Sequence, residues 1–183
     1  MVVLVTGGAG YIGCHVCIEL INEGHQVITF DNYSNSTNHQ LKIIEKSKNC
    51  KIIKIRGDVT DLKTLKSLTS RLSFDAVIHL AGLKSVPDGE NNPLLYYKTN
   101  VCGTINLLNV LKDHNCKKFI FSSSANVYGN PEYLPIDEKH KLDPSNVYGR
   151  TKLQAELIIK DFCNTQGQNF NAISLRYFNP VGA

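Results

Sequence analysis

The chain has 183 residues, of which 42% are hydrophobic and 20% charged, and its formal net charge is +4. That is enough length for one domain with a core of its own, and the balance is ordinary for a soluble globular protein. No apolar run is long enough to span a bilayer and the basic residues are scattered, which speaks against a membrane or a nucleic-acid partner.

In chain order, the opening residues Met1-Val-Val-Leu-Val-Thr6 carry no basic leader and no small-residue cleavage site. They read as a first strand over 2–5 rather than as a signal peptide, so a cytoplasmic protein is expected. A helix is expected over 11–22, carrying Ile12, Val16, Ile18, Leu20 and Ile21, then a strand over 27–30. Lys42, Lys46, Lys48, Lys51 and Lys54 are broken by Glu45 and four isoleucines, which reads as a solvated helix face and a strand end. A strand follows over 52–55, and Asp61 can cap a helix carrying Leu62, Leu65, Leu68 and Leu72. Next come a strand over 76–80, a long helix over 93–113, a strand over 119–121, a helix over 145–162 and a strand over 172–175. The strand segments are nearly all apolar instead of alternating, as in parallel strands buried on both faces. Strands alternating with helices predict an α/β fold, a doubly wound parallel sheet forming one domain across 1–183.

Two clusters carry chemistry. Thr6-Gly7-Gly8-Ala9-Gly10-Tyr11-Ile12-Gly13 closes the first strand and opens the first helix. Gly7 permits a tight turn, Gly10 lets a pyrophosphate approach the backbone, and Gly13 lets helix and strand pack closely. The helix N-terminus then offers free N–H groups and a positive dipole end to the phosphates. Asp31 ends the second strand 18 residues after Gly13, near the position of a ribose-binding carboxylate. Such a carboxylate accepts from both ribose hydroxyls and repels a 2′-phosphate. Residues 32–38 contain no Arg or Lys, so NAD is favoured over NADP. Further on, Tyr148-Gly-Arg-Thr-Lys152 places a phenol and an ammonium four residues apart, on one helix face. A free tyrosine, with a pKa of about 10, is a poor base at neutral pH; a nearby ammonium should lower it into working range.

The six cysteines suggest no disulfide framework. Cys14 and Cys17 form a C-x-x-C, but no second pair completes a metal site, and they read as small buried side chains on a packed helix. No metal is expected. His79 lies in a strand pattern and reads as a packed core residue.

The glycine spacing, with the segments around Asp31, His79 and Tyr148, resembles the extended short-chain dehydrogenase/reductase family, and within it the UDP-glucose (UDP-galactose) 4-epimerases. The segments that carry the resemblance are 3–13, Asp31-Asn32 with Asn35-Ser36, 77–84, 121–129 and 175–183. It implies NAD bound by Gly7, Gly10, Tyr11, Ile12, Gly13, Asp31, Asn32, Asn35 and Ser36 at one end. Asp58 and Val59 would serve the adenine, and Leu80, Ala81, Gly82, Thr99 and Ser122 the middle. Lys84 would reach the pyrophosphate, Lys152 the nicotinamide ribose, and Tyr177 and Phe178 would border the nicotinamide. Ser124, Tyr148 and Lys152 are the implied catalytic set. Lys84, Ser124, Asn126, Tyr148 and Asn179 would meet the UDP-sugar.

The implied reaction is inversion at C4 of a UDP-hexose through a transient 4-keto sugar. Tyr148 would remove and return the 4-hydroxyl proton, and NAD would stay bound. Ala125 and Asn126 stand where related dehydratases carry Asp-Glu, so dehydration is disfavoured. The family pattern is departed from at Lys84-Ser-Val-Pro-Asp-Gly-Glu90, at Thr99 (commonly Asn), at Cys14 (Ser) and at Asn126 (Thr). Family members continue beyond Ala183 into a smaller domain that clamps UDP, so this chain is expected to bind NAD and to epimerise poorly. A homodimer through the helices over 93–113 and 145–162 is compatible with the resemblance. Two other readings stay open: an epimerase of the same branch acting on UDP-N-acetylglucosamine or UDP-glucuronate, or an NAD-binding module without turnover.

Overall fold

A computed structural model describes residues 1–167 and 170–181. The strands are β1 (Val2–Thr6), β2 (Gln26–Asp31), β3 (Ile53–Arg56), β4 (Ala76–His79), β5 (Lys118–Ser124) and β6 (Asn171–Tyr177). They form one parallel sheet in the order β3-β2-β1-β4-β5-β6. The order reverses between β1 and β4, and loops leaving the carboxyl ends there diverge and open a crevice.

The apolar runs make sense once successive side chains are assigned to opposite faces. Val3, Val5 and Val27 pack into one cluster with Cys17, Leu41 and Ile52. Leu4 and Ile28 pack into the other with Phe30, Leu107, Phe119 and Phe121. Both faces are covered, so no alternation survives in the sequence. The edge strands depart from the expected two-sided burial: Ile53 is 43% exposed on β3, and Ile173 and Leu175 are 59% and 40% exposed on β6. A neighbour on one side only leaves such strands less enclosed.

The helices are α1 (Tyr11–Asn22), α2 (His39–Lys48), α3 (Leu62–Arg71), α4 (Val86–Asn91), α5 (Pro93–Tyr96), α6 (Gly103–Leu111) and α7 (Val147–Gln166). Asp61 caps α3 through the N–H groups of Lys63 and Thr64, as its position suggested. Asn146 caps α7 by accepting from Gly149 N–H at 2.7 Å. Two differences from the sequence reading matter. The long helix over 93–113 is interrupted by a π-helical turn, Tyr97–Cys102, between α5 and α6, a distortion that often accompanies functional sites. The short α4, capped by Ser85, lies in a stretch for which the sequence predicts no helix. Cys14 and Cys17 are buried on α1, and burial pushes the Cys17 thiol up to about 12. Of the segment 175–183, Gly182 and Ala183 lie outside the described residues.

Candidate active site

One cleft of about 600 Å³ opens at the carboxyl ends of the central strands. Its first wall is the loop between β1 and α1. Gly7 sits at φ +69°, and a Cβ there would lie 2.7 Å from Ala81 N. A Cβ on Gly13 would press into the Gly7 carbonyl and lie 2.7 Å from Gly8 Cα. Gly10 differs: its Cβ would meet only Gly7 O, at 3.3 Å, and Gly10 lines the cleft. Its bareness therefore serves whatever occupies the cleft more than the packing. Tyr11, Ile12 and Gly13 line the same wall, and first-turn N–H groups have no intrahelical acceptor. This cradle fits a pyrophosphate.

At the far end Asp31 is 7% exposed. Its Oδ2 accepts from Ala9 N–H at 3.0 Å, and its Oδ1 from Tyr33 N–H at 2.8 Å and the Ser36 hydroxyl at 3.1 Å. A carboxylate has about four acceptor sites, so about one remains for a ribose hydroxyl, fewer than the two bonds the sequence suggested. Ser36 thus stands behind Asp31 and is not part of the cleft wall. Asn32, Asn35, Asp58 and Val59 are part of it. Burial works to raise the Asp58 pKa, but bonds from Asn32 Nδ2 and from Thr60 outweigh it and hold the carboxylate below its usual range.

The middle of the cleft brings together residues expected from the sequence. Leu80, Ala81, Gly82, Lys84, Thr99, Ser122, Ser124, Asn126, Tyr148 and Lys152 all line it, and Tyr177 and Phe178 close one side. Asn179 is not in the wall; Phe178 and Pro180 take it on either side. Lys152 is 5% exposed, donates from Nζ to Ser122 O at 2.8 Å, and lies 4.9 Å from the Phe121 ring centre. Burial lowers its pKa to about 8, against the opposing pull of Glu156.

Tyr148 departs from expectation. Burial raises its pKa, a hydrogen bond with Ser124 lowers it in part, and the Lys152 ammonium stands 5.9 Å from its ring centre. The ammonium is engaged by Ser122 O and does not by itself make Tyr148 a base at neutral pH.

Sequence reasoning missed the residues that hold this set. Asn100, in the π-helical turn, donates from Nδ2 to Leu83 O and Thr151 Oγ1, both at 3.0 Å, and accepts from Leu83 N–H at 2.8 Å. It ties the loop after β4 to α7. The Val147 N–H donates to Glu90 at 2.6 Å, which ties α4 to the start of α7. Glu156 takes a bidentate bond from Arg176, at 3.0 and 2.7 Å, and one from the Ser123 hydroxyl. A polar side chain inside the apolar stripe of residues 93–113 was the available signal for Asn100; Glu90 and Glu156 gave none.

His79 is core, as read. The Thr104 hydroxyl donates to Asn100 O at 2.7 Å, so its oxygen accepts from His79 Nε2 at 3.1 Å. His79 Nδ1 then accepts from the Thr6 hydroxyl at 2.7 Å. The ring is neutral, with its pKa pushed down to about 3 by burial and by Lys152.

The profile of the NAD dependent epimerase/dehydratase family matches residues 3–183. The chain is 45% identical over 181 residues to a UDP-glucose 4-epimerase of Dictyostelium discoideum, covering 99% of this chain and 52% of that one. It is 44% identical to the Homo sapiens UDP-glucose 4-epimerase, of which it covers 54%. Among solved structures, the Bifidobacterium longum UDP-glucose 4-epimerase in complex with NAD+ and UDP superposes with a TM-score of 0.96 at 44% identity, over 100% of this chain and 55% of that one. The chain spans about half the length of the curated relatives it matches.

Proposed function

The chain belongs to the NAD dependent epimerase/dehydratase family, and from that premise we propose that it forms the NAD-binding domain, 1–183, of an epimerase inverting C4 of a UDP-hexose. One observation carries the proposal. Ser124, Tyr148 and Lys152 line the same cleft as Gly10, the first turn of α1 and Asp31, so the acid–base set and the dinucleotide cradle share one space.

Gly7, Gly10 and the α1 N-terminus would hold the pyrophosphate, Asp31 a ribose hydroxyl, and Asn32, Asn35, Asp58 and Val59 the adenine end. Lys152 would take the nicotinamide ribose, beside Tyr177 and Phe178. NAD, when bound, supplies reversible two-electron oxidation of the sugar carbon and a positive charge that favours a phenolate. Tyr148 takes the proton of the 4-hydroxyl at its Oη and returns it after the 4-keto sugar has turned over. Ser124 would donate its single hydroxyl proton to the Tyr148 oxygen and stabilise the phenolate. The neutral His79 adds no positive charge beneath Lys152. Lys84 would border the sugar nucleotide, and the departure of residues 84–90 from the family pattern bears on sugar preference.

Tyr148→Phe tests this. Turnover of UDP-galactose by the full polypeptide is expected to fall at least about 100-fold, the contribution of a positioned acid–base group, while NAD binding persists. Undiminished turnover contradicts the assignment.

Three further features belong to this reading. Leu94 and Leu95 are 83% and 52% exposed, and Ile105 and Leu157 37% and 51%; they support a homodimer through α5, α6 and α7. No described helix is long and apolar enough to cross a membrane. The six cysteines are free, which supports a reducing, cytoplasmic setting.

A further inference from the structure

Between Ser124 and the start of α7 runs a chain of hydrogen bonds whose direction is set at one end. Gly149 N–H is a donor only, and it donates to Asn146 Oδ1 at 2.7 Å. The Asn146 amide is thereby oriented, and its Nδ2 donates to Asn126 Oδ1 at 2.9 Å. That orients the Asn126 amide in turn, and its Nδ2 donates to Ser124 Oγ at 3.1 Å. Asn126 N–H donates to the same oxygen at 3.2 Å. A serine oxygen has two lone pairs, and both are taken. The hydroxyl proton of Ser124 is left, in a cleft it shares with Tyr148.

We propose that Asn126 and Asn146 are positioning residues that set the polarity of Ser124, making it a one-way hydrogen-bond donor to the Tyr148 oxygen. Ser124 then cannot accept a proton from the sugar hydroxyl and pass it on. It stabilises the phenolate and leaves proton removal to Tyr148 alone. The inference rests on the epimerase reading for its meaning in turnover, but the polarity itself is a property of this chain. The Asn126 side chain supplies one of the two donors at Ser124, so the residue that departs from the family's Thr carries the relay. Gly149 serves it too: a Cβ there would lie 2.5 Å from Asn126 O and 2.9 Å from Pro144 Cβ.

The charged and titratable groups on elements around Tyr148 include Arg150, Lys152 and Glu156 on α7, Asp88 and Glu90 on α4, Tyr96 on α5, Tyr97 and Lys98 in the π-helical turn, and Arg176 and Tyr177 on β6. The relay variants leave all of them in place.

Asn146→Asp is the decisive variant. Aspartate remains a good cap for α7, but its second oxygen can only accept. The Asn126 amide must turn its Nδ2 toward it and present Oδ1 to Ser124, which draws the Ser124 proton away from Tyr148. The readout is ultraviolet titration of Tyr148, taken as the difference from Tyr148→Phe, and the pH profile of kcat. Losing a hydrogen bond to a charged oxygen should move Tyr148 ionisation upward by about one unit or more. Asn146→Ser, which keeps a cap but removes the donor that orients Asn126, should shift Tyr148 in the same direction by less, since the Asn126 amide is then free to turn either way. The shift should persist at high salt, where the field of a partly exposed carboxylate is screened. An unmoved Tyr148 titration overturns the proposal, as does a shift abolished by salt. If Asn146→Asp does not fold, Asn126→Asp should give the same upward shift, and its absence is equally adverse. Failure of wild type to turn over any UDP-hexose, with the titration shift intact, would sink the functional reading and leave the relay standing.

Discussion

Lys152 shows how a site residue works against the fold that holds it. It is 5% exposed, and its pKa falls from 10.5 to about 8. The native state therefore disfavours the charged form relative to the unfolded chain. For a base with a depressed native pKa, stability rises with pH between the two values and is lowest below the native one. The deficit, about 2.5 units, corresponds to roughly 3 kcal/mol, partly offset by the bond to Ser122 O. Lys152→Met is thus expected to raise Tm at pH 7 and to lose that advantage near pH 10, while abolishing turnover. Thermal melts at the two pH values check it, and a variant less stable than wild type at pH 7 contradicts it. Tyr148 and Lys152 were legible because four-residue spacing on a helix is a local rule. The raised pKa of Tyr148 was not, because burial depends on elements far off in the chain.

At the scale of elements, strands were legible because parallel pairing on two covered faces leaves unbroken apolar runs, as in Val2–Thr6. The phosphate loop was legible because each glycine answers a local constraint. The π-helical turn at Tyr97–Cys102 was not: the apolar stripe of 93–113 reads as continuous, and what the turn brings into place is Asn100, whose partner Thr151 is 51 residues away. The ion pair of Glu156 with Arg176, 20 residues apart, escaped for the same reason. Helix surfaces carry the dimer reading. With Leu94 83% exposed and Leu157 51% exposed, Leu94→Glu with Leu157→Glu should shift sedimentation from dimer to monomer without altering the circular dichroism. A wild-type protein that sediments as a monomer would contradict this interface.

At the scale of the molecule, one reversal of strand order does most of the work. It places the β1–α1 turn, the end of β4 and the end of β5 around one crevice. Glycine cradle and Asp31 therefore meet the Ser124–Tyr148–Lys152 set although more than ninety residues separate them from it in sequence. On the cleft's side near β6, Phe178 is 56% exposed. Every role assigned to these residues requires a dinucleotide in this cleft. The most direct test is to denature the purified protein and assay the nucleotide it releases, beside Gly10→Val. A Cβ at Gly10 meets only Gly7 O, at 3.3 Å, so that variant should fold yet have its larger side chain in the cradle. About one NAD per wild-type chain and little from Gly10→Val is the predicted result. No NAD from wild type, even after incubation with added NAD, or equal amounts from both, would contradict the assignment of the cleft.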